Sequence, residues 1–172
     1  YETRVAEGAT VAGKAMFVCS NRNIAYDFYK IVKELRPEWT EKKICDDGVV
    51  LSEKDKKELK PMEKIKLVMT RNKDDEKDLF DMLGTKEDRK EFDRQFKNPK
   101  SNFKIAIVVD MWLTGFDVPE LDTIYIDKPI QQHTLIQTIS RVNRVCEGKD
   151  KGLIVDYIGI KKNMNTALKK YT

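Results

Sequence analysis

Short apolar runs alternate with amphipathic segments along most of the chain. Strands that are covered on both faces read as nearly continuous hydrophobic stretches, and such runs predict strands at residues 15–19, 64–69, 105–109 and 152–155, while a shorter, alternating segment predicts a further strand at 122–126. Apolar residues at helical spacing predict helices from a cap at Ser20 or Asn21 up to Pro37, and at residues 74–83, 86–97, 134–145 and 159–170. This alternation favours an α/β fold, in which a parallel sheet of about five or six strands carries helices on both faces.

The chain divides into segments of different composition. Residues 1–13 are polar and rich in small side chains, which is typical of a lead-in linker, and residues 14–172 are interpreted as one domain. Residues 37–63 carry charges of both signs and few apolar anchors, so we expect a mostly solvated insertion with weak or local structure. Because the chain begins at Tyr1 and not at Met, we interpret it as a fragment of a larger protein.

Composition excludes several classes of protein. The 172 residues carry a formal net charge of +4, which by itself is too weak to indicate nucleic-acid binding. No apolar run approaches the length of a membrane span, so we expect no membrane partner. Three widely spaced cysteines and a single histidine exclude a disulfide framework, a zinc ribbon and a multi-histidine metal site. We therefore predict no metal ligands and a reducing, cytoplasmic location.

One segment matches the spacing of a phosphate-binding loop without its chemistry. Gly8 to Lys14 satisfies the pattern GxxxxGK, but the next residue is Ala15 where a Ser or Thr hydroxyl would bind magnesium. The segment also precedes a predicted strand instead of following one. No apolar strand ends in Asp-Glu, so a Walker B pair is missing as well. The chain alone is therefore not expected to hydrolyse ATP.

The predicted helix at residues 134–145 combines a buried and a cationic face. At about 100° per residue, Gln137, Arg141 and Arg144 lie on one side of the helix. A solvated polar face is one interpretation of this pattern. The alternative is an anion site, because arginine makes planar, bidentate contacts with phosphate oxygens. The helix also follows a strand, and the ligand crevice of an open parallel sheet lies at that position.

A second candidate segment follows the strand at residues 105–109. It carries Asp110, Thr114, Gly115 and Asp117 and ends at Pro119. Gly115 permits a tight turn or a close backbone approach, and the Thr114 hydroxyl with nearby N–H groups could hold a phosphate. A plain strand-to-turn connection explains the Asp and Pro residues equally well. Trp112 and Phe116, which flank the turn, are interpreted as core side chains in preference to base-stacking platforms.

These two segments together resemble motifs V and VI of superfamily 2 helicases and translocases. The resemblance is most specific to the second RecA-like motor domain of the restriction (R) subunit of type I restriction enzymes. It covers roughly residues 14–160 and rests on Phe17–Arg22, Met111–Pro119, Leu121–Lys128, Gln137–Arg144 and Gly152–Tyr157. It implies a RecA-like sheet, an ATP-dependent motor that moves along DNA, and a prokaryotic cytoplasmic protein.

The resemblance also implies roles for individual residues. ATP and Mg²⁺ would bind in the cleft between this domain and a first RecA-like domain of the same chain, which brings the Walker residues. Arg141 and Arg144 would reach the γ-phosphate, one of them as the arginine finger, while Gln137 would couple the site to domain closure. On the same side, Asp117 would contact the ribose or its water shell, next to Gly115. The residues implied to contact the DNA backbone are Ser20, Arg22, Thr70, Arg71 and Thr114.

Two other functions stay open at this point. The chain could come from a helicase of another superfamily 2 branch that acts on RNA or on DNA repair intermediates. It could also be a non-catalytic docking module whose arginines hold a protein carboxylate, in which case Arg141, Arg144 and Asp117 should point away from one another. In a type I system the further partners would be the modification and specificity subunits, and the latter would choose the DNA target.

Overall fold

A parallel β-sheet forms the centre of the molecule. The computed structural model describes residues 1–149, 151–159, 165–166 and 168–170. Over these residues, five strands pair in the order β2-β3-β1-β4-β5, and every pair is parallel. The strands are β1 (Lys14–Cys19), β2 (Ile65–Val68), β3 (Ile105–Val108), β4 (Leu121–Asp127) and β5 (Leu153–Asp156). The predicted parallel α/β sheet is thus confirmed.

Helices connect the strands and begin at recognisable caps. They are α1 (Glu2–Ala6), α2 (Arg22–Leu35), a 3-10 helix (Pro37–Thr40), α3 (Glu53–Glu58), α4 (Lys77–Leu83), α5 (Lys86–Lys97) and α6 (Gln132–Val142). The Asn21 side chain accepts a hydrogen bond from the Ile24 amide at the start of α2. Thr85 and Asp88 form a reciprocal capping box at the start of α5, which satisfies amide groups that lack a partner within the helix.

The sheet separates two apolar layers. Because alternate side chains of a strand point to opposite faces, Met16 and Val18 of β1 contribute to one layer and Ala15 and Cys19 to the other. The first layer includes Phe96 of α5 and residues Leu135 and Val142 of α6. The second includes Ala25 and Tyr29 of α2 and Leu79 and Leu83 of α4. Helices therefore cover both faces of the sheet, as predicted.

The parallel direction of the strands gives the sheet two chemically different edges. The carboxyl ends of all strands meet at one of them, which we call the carboxyl edge, and the amino ends meet at the other, the amino edge. β1 lies at the centre, with Phe17 opposite Ile107 of β3 and Tyr125 of β4. Residues that follow β1, β2 and β3 therefore meet at the carboxyl edge, whereas residues that precede β4 and β5 meet at the amino edge.

Several segments differ from the sequence-based expectations. Within the lead-in, α1 is helical, the Tyr1 hydroxyl donates to the Gly13 oxygen at 2.8 Å, and the Tyr1 ring contacts Trp39 edge-on. The insertion at 37–63 has local structure, as expected, and is held by an antiparallel bridge between Lys43 and Met62. The division into linker, domain and insertion stays a prediction. The predicted last helix, 159–170, lies largely outside the described residues, of which 165–166 and 168–170 are helical.

The surface of α2 also departs from its sequence pattern. The helical spacing of Ile24, Phe28, Ile31 and Leu35 indicates an apolar face, but Ile24, Ile31 and Leu35 are exposed. The helix instead packs on the sheet through Ala25 and Tyr29, because a small residue at position 25 lets the helix approach the strands closely.

Candidate functional site

The connection from β3 to β4, residues 109–120, contains no helix and is held in place by apolar side chains. Leu113, Phe116 and Val118 are buried in the first apolar layer. The Trp112 and Phe116 rings are stacked, with centroids 4.3 Å apart, and Trp112 also stacks on Phe96 of α5 at 5.3 Å. The structure thus confirms that Trp112 and Phe116 are packing residues, and the loop is a fixed element next to α6.

A turn in this loop requires left-handed backbone conformations. Gly115 has a φ of 69°, and Trp112 has a φ of 67°, the one positive value of a non-glycine residue in the described part of the chain. A left-handed conformation costs an L-residue roughly 1–2 kcal/mol. The turn leaves Thr114, Gly115 and Asp117 exposed to solvent. The predicted role of Gly115 in nucleotide binding is not tested by this geometry, but the tight turn is present.

Arg141 fastens the loop to α6. It lies in the last turn of the helix, and its guanidinium donates to the backbone oxygen of Leu113 at 2.9 Å and to that of Trp112 at 3.4 Å. Burial lowers the pKa of Arg141, and the nearby carboxylate of Asp117 opposes this shift. Since arginine stays protonated far above neutral pH, the group remains a cation that bridges helix and loop.

Arg144 lies one turn further and pairs with Asp117. Both carboxylate oxygens of Asp117 accept from Nη1 of Arg144. The pair is exposed: 48% of the Arg144 side chain and 62% of the Asp117 side chain face solvent. The hydrogen bond from Arg144 is the largest of the effects that lower the pKa of Asp117. Arg141, Arg144 and Asp117 therefore converge, which is the opposite of the arrangement expected for a docking module.

A third cation stands beside this pair, and the sequence pattern did not single it out. Lys97, at the end of α5, lies with its ammonium group 5.0 Å from the centroid of the Phe116 ring. Its charge also lowers the pKa of Asp117, after the effects of Arg144 and Arg141. Only the position of Lys97 in the last turn of a helix could have drawn attention to it. Three cations thus surround one exposed carboxylate.

The position of this cluster corrects one expectation. α6 begins near the carboxyl end of β4, but it runs antiparallel to the strands, so Arg141 and Arg144 lie toward the amino edge. Asp117 shortly precedes β4 at the same edge. The strand-then-helix order had suggested the crevice at the carboxyl edge. Gln137 is exposed on α6, one turn before Arg141.

The carboxyl edge brings together most of the residues implied to contact DNA. Ser20 follows β1, and its hydroxyl donates to the Asp127 oxygen at 2.6 Å. Arg22 donates to the Thr70 backbone oxygen and to both carboxylate oxygens of Asp75, at 2.7 and 2.6 Å. Arg22 thereby links the residues after β1 to those after β2, and its charge is balanced by an aspartate.

Arg71 and Thr114 have different surroundings. Arg71 donates from Nε to the Gly84 oxygen at 2.7 Å, and its guanidinium carbon lies 4.1 Å from the centroid of the Phe80 ring. Arg71 therefore serves first to hold α4 against the strand. Thr114 is exposed on the β3–β4 loop, which runs from one edge of the sheet to the other. These positions leave the implied DNA contacts as predictions: Thr70 and Thr114 are exposed, whereas Ser20, Arg22 and Arg71 are partly buried.

The amino edge also contains buried lysines that donate to backbone oxygens. The pattern GxxxxGK ends in Lys14, which is fully buried and donates to the Phe103 oxygen at 2.6 Å. Burial holds the pKa of Lys14 well below its usual range. Lys149 donates to the Pro119 and Leu121 oxygens, and Lys104 to the Pro99 oxygen. Lys14 is therefore a structural donor that a nucleotide could not reach.

Neither a metal site nor a membrane span is present among the described residues. No group of three or more His, Cys, Asp or Glu side chains within that part of the chain could hold a metal ion. Nor does any helix there combine the length and the apolar character needed to cross a membrane.

Known proteins with similar sequences are subunits of type I restriction enzymes. A family model described as type I restriction enzyme subunit R domain 3 matches residues 12–159. The HindI endonuclease subunit of a type I restriction enzyme from Haemophilus influenzae is 39% identical over 165 residues, which cover 94% of this chain and 14% of that protein. A Methanocaldococcus jannaschii protein assigned as the MjaIXP endonuclease subunit is 41% identical over 161 residues, covering 93% of this chain and 13% of that protein.

Solved structures agree on the fold. A fragment assigned to the HsdR subunit of a type I restriction enzyme from Vibrio vulnificus superposes with a TM-score of 0.56 at 13% identity, over 95% of this chain and 27% of that one. The C-terminal domain of the DEAD-box protein Dbp5 gives 0.53 at 15% identity, over 99% of this chain and 76% of that one. The chain spans about one seventh of the length of the curated relatives.

Proposed function

Because this chain belongs to the family of type I restriction enzyme subunit R domain 3 and has a RecA-like helicase fold, we propose that it is the second half of an ATP-dependent DNA motor. In this proposal the amino edge supplies arginines to ATP hydrolysis, and the carboxyl edge contacts the DNA backbone. A first RecA-like domain elsewhere in the same subunit holds most of the nucleotide. The chain alone is inactive as an ATPase.

The observation that carries the proposal is the exposed pair of Arg144 and Asp117 beside Arg141. Phosphoryl transfer is accelerated mainly by positioning and by neutralising charge, and an arginine supplied across an interface contributes roughly 10³–10⁵ in rate. Arg144 is well suited to this because its guanidinium is accessible and lies just past the end of a rigid helix. Arg141 is largely committed to the Leu113 oxygen, so we assign the finger to Arg144 and the support of the loop to Arg141.

The donor set at this edge fits a phosphate and does not fit a metal ion. The guanidinium of Arg144 and the ammonium of Lys97 offer charged N–H donors, which suit phosphate oxygens. Among the described residues no carboxylate cluster could hold Mg²⁺, so the ion would be coordinated by the other domain and by the nucleotide. Bound ATP would supply the γ-phosphoryl group, and Gln137, exposed one turn before Arg141, would sense closure of the cleft.

The proposed DNA contacts are independent of base sequence. Hydroxyl groups and backbone amides contact phosphates without reading the bases. Ser20 and Thr70 offer such groups at the carboxyl edge, and Thr114 offers them on the β3–β4 loop. Arg22 would position the Thr70 segment, because it is already bound to the Thr70 oxygen and Asp75. The modification and specificity subunits would complete the complex, in the cytoplasm of a prokaryotic cell.

Both alternatives have less support. The family match at 39–41% identity over more than nine tenths of the chain favours restriction subunits over another superfamily 2 branch. The convergence of Arg141, Arg144 and Asp117 argues against the docking module, for which divergent side chains were expected.

The test is Arg144→Ala in the full-length R subunit that contains this chain. DNA-dependent ATP turnover should fall by about 10³-fold or more, while folding is retained because the side chain is exposed. Arg144→Lys should recover only a small part of the rate, since lysine cannot make the bidentate contact.

The matched control is Arg36→Ala. Arg36 is also an exposed arginine paired with a carboxylate, that of Glu2, but it caps the end of α2, which packs on the opposite face of the sheet from Phe116 and α6. Its turnover should equal that of the unmodified subunit. Near-normal turnover of Arg144→Ala would remove the arginine-finger role.

A further inference from the structure

We propose that Asp117 holds Arg144 in the nucleotide-free domain and competes with the triphosphate for the same guanidinium. Asp117 would then be a positioning residue that sets the fraction of the Arg144 side chain available to bind the triphosphate. This proposal rests on the proposed function of Arg144. It differs from the ribose contact implied by family resemblance, because it predicts that Asp117 opposes nucleotide binding.

The contacts define Asp117 as an internal substitute for a phosphate. Both of its oxygens accept from Nη1 of Arg144, as two oxygens of a phosphate would. Arg141 and Lys97 add positive charge around the carboxylate, whereas Glu120 adds negative charge near Arg144. An anion with more charge than one carboxylate would therefore be favoured at this position.

The pair is weak enough to be exchanged. Exposed ion pairs contribute little because solvent screens them and two side chains must be ordered, and this pair is about half exposed. The loop that carries Asp117 is fixed by the Trp112–Phe116 stack and by the bond from Arg141 to Leu113. Exchange therefore moves the flexible Arg144 side chain and leaves the carboxylate in place.

Two measurements on the full-length R subunit test the proposal. Asp117→Asn removes the charge and keeps the shape. It should tighten binding of a non-hydrolysable ATP analogue by about two- to fivefold, the weight of an exposed ion pair, as measured by calorimetric titration. ATP turnover without DNA should rise by a similar factor. Asp117→Glu, which restores the charge, should return the dissociation constant toward that of the unmodified subunit.

The matched control is Asp27→Asn. Asp27 is an exposed carboxylate paired with Lys30 on α2, which covers the other face of the sheet, so its loss should leave the analogue affinity unchanged. In an Arg144→Ala background, Asp117→Asn should no longer tighten binding of the analogue, because there is no Arg144 guanidinium for which the Asp117 carboxylate could compete. The gain should also shrink at high salt, where the exposed pair is screened.

The outcomes separate this proposal from the function on which it rests. If Arg144→Ala abolishes turnover but Asp117→Asn binds the analogue as well as or less tightly than the unmodified subunit, the competition is overturned and the arginine finger stands. Weaker binding would instead support a direct ribose contact. A gain that persists in the Arg144→Ala background also overturns the proposal. If Arg144→Ala turns over ATP normally, the proposed function itself fails.

Discussion

Trp112 and Phe116 stack face to face across the turn at Gly115, with ring planes only 1° from parallel. The stack keeps Trp112 in a left-handed backbone conformation, with a φ of 67°. This conformation is ordinarily reserved for glycine. The packed loop therefore contains backbone strain at Trp112, which lowers the free energy of unfolding.

At position 112, glycine should give a more stable variant than alanine, which is the reverse of the usual order. Trp112→Gly and Trp112→Ala both lose the stack, but only glycine relieves the left-handed strain of roughly 1–2 kcal/mol. We expect the Gly variant to be the more stable of the two by about 0.5–1 kcal/mol after its larger chain entropy is included. Urea unfolding followed by circular dichroism measures the difference. At Thr114, where φ is not positive, the Ala variant should be the more stable; the same order at both sites would contradict the role of strain.

The two arginines of the site should differ in their effect on stability. Arg141→Ala removes a charged hydrogen bond to the Leu113 oxygen and should lower the free energy of unfolding by about 1.5–3 kcal/mol. Arg144→Ala removes only an exposed pair, so its unfolding midpoint should stay close to that of the unmodified chain. Urea unfolding of both variants provides the comparison. Equal losses would show that the Arg141 contact does not hold the loop.

Gly152 should not tolerate any side chain. A Cβ atom at this position would lie 2.2 Å from Cγ1 and 2.3 Å from the backbone oxygen of Val142. Gly152→Ala should therefore cost at least about 3 kcal/mol, because α6 or β5 must shift. Gly48 is a suitable control, since nothing lies within 4 Å of the position that a Cβ atom would occupy there. Gly48→Ala should cost only the strain of its positive φ, about 1–2 kcal/mol, and similar losses at both sites would contradict the steric argument.

Lys14 should make stability depend on pH in the alkaline range. Burial lowers the pKa of Lys14 in the folded chain, so the unfolded chain binds more protons and stability rises as the pH increases from the folded pKa to the usual value of about 10.4. Lys14→Met keeps the apolar stem without the amine and should flatten this rise. The urea midpoints of both chains between about pH 7 and pH 9 test it. Parallel curves would show that Lys14 titrates alike in both states.

Sequence patterns predicted the sheet well because they depend on local properties. β1, β2 and β3 are short runs that are buried along most of their length, and this pattern needs no knowledge of distant partners. The end of α6 was less predictable. The helix stops at Val142, and Asn143 accepts from the Gly152 amide across the start of β5 at 3.2 Å. Arg144 consequently lies beyond the helix, in a turn that periodicity would continue as helix.

The candidate site was identified by residue type but not by its contacts. Arg141 pairs with a carbonyl 28 residues away, and Arg144 with an aspartate 27 residues away. Helical spacing places both arginines on one face but cannot show that the Arg141 bond is partly buried and the Arg144 bond exposed. Nor could it place the cluster at the amino edge, which depends on the direction of α6 relative to the strands. The assigned roles in ATP and DNA binding remain predictions.

The buried lysines change how strongly this domain attracts a polyanion. Lys14, Lys66, Lys104 and Lys149 are almost inaccessible to solvent, as is one carboxylate among the described residues, that of Asp122, so their burial offsets most of the formal net charge of +4. The charge presented to the surroundings is therefore close to balanced. If this domain contacts DNA as proposed, counterion release, which follows the number of phosphates neutralised at the surface, should be modest for its share of the contacts. Its binding to the duplex would then weaken only gently with added salt.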